Sequence, residues 1–186
     1  MLTKNVSLAN ASLLLIGASR IASFDEESSE AVTVNEFYER SYQYLISLYP
    51  WHFASKTITL SRLPEVPAQE YQYKYRLPSD LIRVQRVFPN VSSYKILNDE
   101  LHADYKDLSL KYQYRAPEEY MPIYFEQAMV YYLASQICIT LTEDTQRAAV
   151  LAGLADTHIK KAKSLDAQSQ PQDGFEDFPI DDVRYS

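Results

Sequence analysis

The chain has 186 residues, of which 46% are hydrophobic and 23% charged, enough for one domain with a real core. Its formal charge of −7 speaks against a sequence-reading nucleic-acid protein, which presents a basic face. Three glycines leave little material for phosphate loops, and the lone Cys138 excludes an internal disulfide and a cysteine zinc site. Tyrosine stands out with 16 copies; its apolar ring and polar tip suit either a sheet within one subunit or a surface buried in an assembly.

The chain opens with a helix expected from Lys4 to Ile16, with Gly17 placed as its left-handed stop. Leu13 to Ile16 faintly imitates a signal-peptide core but is short, and no stretch approaches a membrane span, so the chain is read as soluble with no membrane partner. Asp25 or Ser28 then caps a long helix to about Leu48. Ala31, Val34, Tyr38, Tyr42, Leu45 and Tyr49 recur at spacings of three and four, one apolar stripe, and Pro50 ends it.

The period then changes to two. Strands are expected at Lys56–Leu60, Tyr71–Tyr75, Leu81–Phe88, Ser93–Leu97 and Leu108–Tyr114, separated by prolines and by Asn98-Asp99. Their short spacing implies antiparallel pairing rather than βαβ crossovers. The Tyr-x-Tyr alternation places the rings on one face, towards a core or a partner.

Helix returns after Pro117. Pro122 suits a first turn, and Phe125, Met129, Tyr132, Leu133, Ile137 and Leu141 form a stripe. Thr142 is expected to cap a second helix from Glu143 to about Leu165, striped by Leu151, Leu154, Ala155, His158, Ala162 and Leu165, and antiparallel to the first. From Asp166 to Ser186 there are six acidic residues and one basic, with Phe175, Phe178, Ile180, Val183 and Tyr185 among them. A purely solvated tail has no need of these apolar residues, so an arm that docks in trans is expected, with Phe175, Phe178, Ile180 and Tyr185 as contacts.

Motifs for chemistry are scarce. There is no Gly-rich phosphate loop, nucleophile elbow, His-Glu-x-x-His or Ca-binding loop. His52, His102 and His158 lie in separate segments without a second ligand at metal spacing, and the acidic runs Asp25-Glu26-Glu27 and Glu118-Glu119 sit where helix dipoles favour them. The chain is read as no enzyme, with no catalytic, cofactor or metal residues. Arg83 and Arg86, with Lys74 and Arg76 in a strand taken as adjacent, form a modest basic cluster, able to touch phosphates but preferred as a pairing surface for carboxylates of the next subunit.

Four segments together resemble one family: the helix ending at Ile16-Gly17 followed by Ile21-Ala22-Ser23-Phe24-Asp25; the helix end Tyr49-Pro50-Trp51-His52-Phe53-Ala54; the strand–turn–strand Tyr73-Lys74-Tyr75-Arg76-Leu77-Pro78-Ser79-Asp80-Leu81-Ile82-Arg83-Val84; and Pro117-Glu118-Glu119-Tyr120-Met121-Pro122 opening the last helix pair. In this order, over about residues 5 to 165, the chain resembles the tail tubular protein A family, the head-to-tail adaptors of short-tailed bacteriophages. The resemblance implies an α+β fold, an antiparallel helical bundle (1–53 and 117–167) with an antiparallel β insertion (54–116) as one domain over 1–167; the extended arm at 168–186 is read from its own composition. The resemblance also implies a dodecameric ring in the virion neck, assembled in the host cytoplasm. Such a ring lies between the portal protein and the tail nozzle protein, takes tail fibres in some cases, and passes DNA through its lumen without reading it. The alternatives are another neck or tail-completion subunit, a nucleic-acid module stacking bases on the Tyr-rich sheet, and a small hydrolase with carboxylates converging in a cleft. Pro78 and Asp80 are expected to set the turn, Asp80 by accepting backbone N–H bonds, and Trp51 and Phe53 to anchor the helix-to-sheet junction.

Overall fold

The computed structural model describes residues 5–65, 70–89 and 93–169. Within them the chain is mixed α+β, with four α-helices and two three-stranded antiparallel sheets. The four arm residues Phe175, Phe178, Ile180 and Tyr185 lie outside the described residues.

Helix α1 (Val6–Ile16) starts where Asn5 accepts the Leu8 N–H at 3.1 Å and stops at Gly17, whose φ of 78° a side chain rarely adopts. Ser28, not Asp25, caps α2 (Ser29–Ser47), accepting the Ala31 N–H at 3.3 Å. Five of the six expected stripe residues, Ala31, Val34, Tyr38, Tyr42 and Leu45, form its fully buried face, while Tyr49 lies past the helix end and is half-buried. Helix α3 (Ile123–Thr142) packs against α1, α2 and α4 (Thr145–Gln168). Its buried Phe125, Met129, Leu133 and Ile137 join Leu8, Leu13 and Ile16 of α1 in one core.

The α3–α4 corner differs from expectation. Glu143 takes the left-handed stop of α3 (φ 55°), and Asp144 rather than Thr142 caps α4, accepting the Arg147 N–H at 2.8 Å. A carboxylate two residues on can reach the free amides while the backbone turns at Glu143. Arg147 also donates to the Ile16 carbonyl at 2.7 Å, tying the α4 start to the α1 end. Ile159 is buried where the expected stripe had His158, while Leu154 and Leu165 stay exposed.

Between the helical segments lie β1 (Ser55–Thr59), β2 (Tyr73–Arg76), β3 (Leu81–Phe88), β4 (Tyr94–Leu97), β5 (Glu100–Ala103) and β6 (Ser109–Tyr114). One sheet has the order β1-β6-β3, the other β2-β5-β4, and every pair is antiparallel. Tyr75, Leu101 and Ala103 of the second sheet share a buried core with Val87, Leu110 and Tyr112 of the first. Strand β5 was not expected; it turns back from β4 through Asn98 (φ 54°) and Asp99, a two-residue hairpin connection.

Trp51 anchors the junction as expected. It is fully buried, donates from Nε1 to the Leu45 carbonyl at 2.7 Å, and meets the Phe125 ring edge-on at 5.0 Å. Phe53 packs on Phe125 at 4.8 Å.

Candidate interaction surfaces

The first sheet has one buried and one outward face, and the register of β3 decides which side chains share them. On β6, Leu110, Tyr112 and Tyr114 point to the core while Ser109, Lys111 and Gln113 point the other way, with Gln113 itself buried and donating to the Tyr49 carbonyl. Arg83 pairs with Gln113 and Arg86 with Lys111. Residues three apart lie on opposite faces of a regular strand, so Arg83 and Arg86 should not meet on one face. Two register shifts in β3, between Leu81 and Arg83 and between Val84 and Arg86, bring both arginines to the Lys111 side. Bulges of this kind re-aim side chains.

The outward face therefore carries Arg83, Arg86 and Lys111, with Thr57, Thr59 and Ser109 and no carboxylate among its strand positions. Among the described residues none of the three cations forms an ion pair. Arg86 lies over the Phe88 ring at 5.6 Å, and Arg83 donates to the Ser47 carbonyl at 3.0 Å, covering an open carbonyl at the end of α2. Arg86 and Lys111 stand directly opposite, an arrangement of like charges that destabilises a sheet unless an anion sits between them.

The basic cluster expected from sequence is thus half right. Lys74 and Arg76 belong to the other sheet and are occupied: Lys74 by Glu65 at 2.7 Å and Glu100 at 3.4 Å, Arg76 by Asp99. Lys111 takes their place. Its alternation with Tyr112 in Ser-Leu-Lys-Tyr-Gln-Tyr shows that it faces away from the tyrosines, but no local signal gives its strand neighbour.

A second surface is the edge of the other sheet. Among the described residues β4 pairs only with β5, and all four of its residues are exposed, among them Tyr94, Ile96 and Leu97. Tyr94 and Ile96 stand opposite the buried Ala103 and Leu101 of β5, yet at the sheet edge they stay about 40% exposed. The tyrosines of the neighbouring strands behave differently: Tyr75 and Tyr112 are buried, and Tyr73 and Tyr114 pack at the core margin.

Two polar clusters fix the frame. Asp80 of the Leu-Pro-Ser-Asp turn takes Lys56 Nζ at 2.6 Å and the Tyr112 hydroxyl at 2.9 Å, joining β1, β6 and the turn; its bonds to side chains were not expected. Burial works against its charge, but these two hydrogen bonds outweigh it and hold the carboxyl below its ordinary range. Arg115, after β6, donates to Glu39 of α2 at 3.2 Å and to Glu118 at 3.0 Å, with its guanidinium 4.1 Å from the Tyr42 ring centre. Glu118 also accepts the Tyr38 hydroxyl at 2.9 Å. Burial and the nearby Glu118 charge push the Tyr38 phenol well above its ordinary value.

The third feature is a buried carboxylate at the end of α4. Asp166 is fully buried, accepts the Tyr124 hydroxyl at 2.7 Å and the His52 N–H at 3.2 Å, and lies 2.9 Å from His52 Nδ1. The Ser169 hydroxyl donates to the Asp166 carbonyl at 2.7 Å. Burial, then the Asp166 hydrogen bond and charge, raise the Tyr124 phenol well above its ordinary value. This cluster ties the end of α4 to the segment just before β1. His102 meets Glu100 at 3.1 Å and His158 stacks on Tyr131 at 4.2 Å, so the three histidines stay apart. Among the described residues no group of three or more His, Cys, Asp or Glu could hold a metal ion, and no helix is long and apolar enough to cross a membrane.

No protein-family model matches this chain, and no curated protein matches it.

Proposed function

We propose that the chain is a structural subunit of the virion neck in a short-tailed bacteriophage: an adaptor that joins the portal to the tail nozzle and extends the ejection channel. On this reading the helices around α3 are the antiparallel bundle, the two sheets are its insertion, and twelve copies close a ring. The observation that carries it is the β4 edge. A short edge strand exposing Tyr94, Ile96 and Leu97 is a liability for a free protein and a contact for an assembling one. A ring needs heterologous contacts between unlike faces, and the β4 edge and the cationic face of the first sheet are unlike. The resemblance of the Tyr49–Ala54 and Tyr73–Val84 segments supports the specific choice of an adaptor.

The double substitution Ile96→Lys and Leu97→Glu tests this. Both side chains are exposed in the free subunit, so its unfolding free energy should change by no more than about 0.5 kcal/mol. Incorporation onto portal rings should be lost. Normal incorporation of a normally folded double variant would remove the β4 edge from the account.

A further inference from the structure

The outward face of the first sheet is short of anions, and the chain has anions to spare close by. Residues 170–186 hold five acidic residues and one basic, a net −4 out of the −7 of the whole chain. Arg83, Arg86 and Lys111 share one face with no carboxylate among its strand positions, and two of the three are directly opposed. Opposed like charges raise the energy of the bare sheet, and an anion laid across them removes the penalty.

The root of the arm favours its own subunit as the target. The Asp166 carboxylate is held 3.2 Å from the backbone N–H of His52, which lies just before β1. From His52 to Thr57 the chain covers at most about 17 Å, and Lys111 lies about 5 Å further across the strand pair. The segment from Ser169 to Asp177 spans up to about 26 Å when extended, and to Asp182 about 43 Å. The arm is therefore long enough for its acidic residues to meet Arg86 and Lys111 of the same subunit. A tethered ligand also acts at an effective concentration in the millimolar range, which a second copy in dilute solution does not match.

We infer that in the free subunit the acidic segment 173–182 docks in cis across Arg83, Arg86 and Lys111 on the outward face of the first sheet. The ligand class is an extended acidic peptide with interleaved aromatic residues: carboxylates answer the cations, and the phenylalanines have Phe88, beneath Arg86, as an apolar neighbour. Passing the same contact to a neighbour on assembly is arm exchange, which costs little because the contact is unchanged. The inference concerns the free subunit and stands whether or not the chain builds a ring.

The test uses the full chain with a nitroxide on Ser186→Cys; Cys138 is buried and does not compete for the label. Amide signals of Thr57, Arg86 and Lys111 should lose most of their intensity in a singly labelled sample. They should keep it when labelled unspun chain is mixed with spin-labelled unlabelled chain, which registers only contacts between copies. The effect should vanish in Arg86→Glu/Lys111→Glu, return when Asp177→Lys/Asp181→Lys is added, and fade at about 1 M salt, where the Debye length is near 3 Å. Equal loss in the mixed sample would show docking between copies, and no loss at these amides would show an arm bound elsewhere or unbound; either overturns the inference. A fluorescent DNA duplex titrated against the same proteins supplies the other decision. Duplex binding that the face variant abolishes and that neutralising the arm leaves unchanged would assign the face to phosphates instead.

Discussion

Replacing Asp166 by Ala is the sharpest stability test of the frame. The side chain is fully buried and accepts the Tyr124 hydroxyl at 2.7 Å and the His52 N–H at 3.2 Å, and it lies 2.9 Å from His52 Nδ1, which also meets the Asp166 carbonyl at 3.0 Å. Truncation strands both donors inside the protein, each costing about 1–3 kcal/mol. Breaking a buried pair costs about 3–5 kcal/mol. The His52 side chain is 29% exposed, so water can rescue part of that interaction and the lower end applies. We expect a loss of about 3 kcal/mol, which for a chain of this size lowers Tm by about 6–12 °C. Asp166→Asn keeps the volume and an acceptor for Tyr124, and should cost about 1–2 kcal/mol. Urea unfolding followed by tyrosine and tryptophan fluorescence measures both, with an unchanged m-value as the check that only stability moved. A loss under about 1 kcal/mol for the alanine variant would mean that desolvation of the carboxylate cancels its bonds, and the cluster would not be what fixes the arm root.

Other outcomes follow from the same contacts. Arg115→Ala leaves Glu118, only 7% exposed, without its cation and should cost about 3–5 kcal/mol, part of it recovered by adding Glu118→Gln. Asp80 is held below its ordinary pKa, so its contribution is present above the unfolded value and is lost as pH falls through the folded one. Wild type should therefore exceed Asp80→Asn in stability at pH 5, and the gap should shrink below about pH 4 in acid titrations of urea midpoints. Trp51→Ala removes a fully buried ring and its bond to the Leu45 carbonyl, and should cost about 3–5 kcal/mol in the same assay.

Local patterns in the sequence carried most of the secondary structure. The α2 stripe, the Gly17 stop and the alternation of tyrosines with polar residues each depend on neighbours within a few positions, and each stands in the fold. Strand β5 escaped because Glu-Leu-His-Ala is four residues long and its turn, Asn98-Asp99, reads as a breaker. The order β1-β6-β3 and β2-β5-β4 depends on pairing across long separations, which no local spacing encodes. That is why Lys74 and Arg76 were placed beside Arg83 and Arg86, although a different sheet holds them. The bulges in β3 are equally silent in sequence: Arg83 and Arg86 look as if they face opposite ways, and only the register with Gln113 and Lys111 unites them. His52 and Asp166 are 114 positions apart, and neither carries a motif that announces the other.

The central claim is assembly. Native mass spectrometry of the purified chain, alone and mixed with purified portal rings, tests that claim most directly. The adaptor reading predicts a ring, or a monomer that adds to the portal in a closed set, with twelve copies of the 21.5 kDa chain as the expected increment. A chain that stays monomeric and leaves the portal mass unchanged would contradict it.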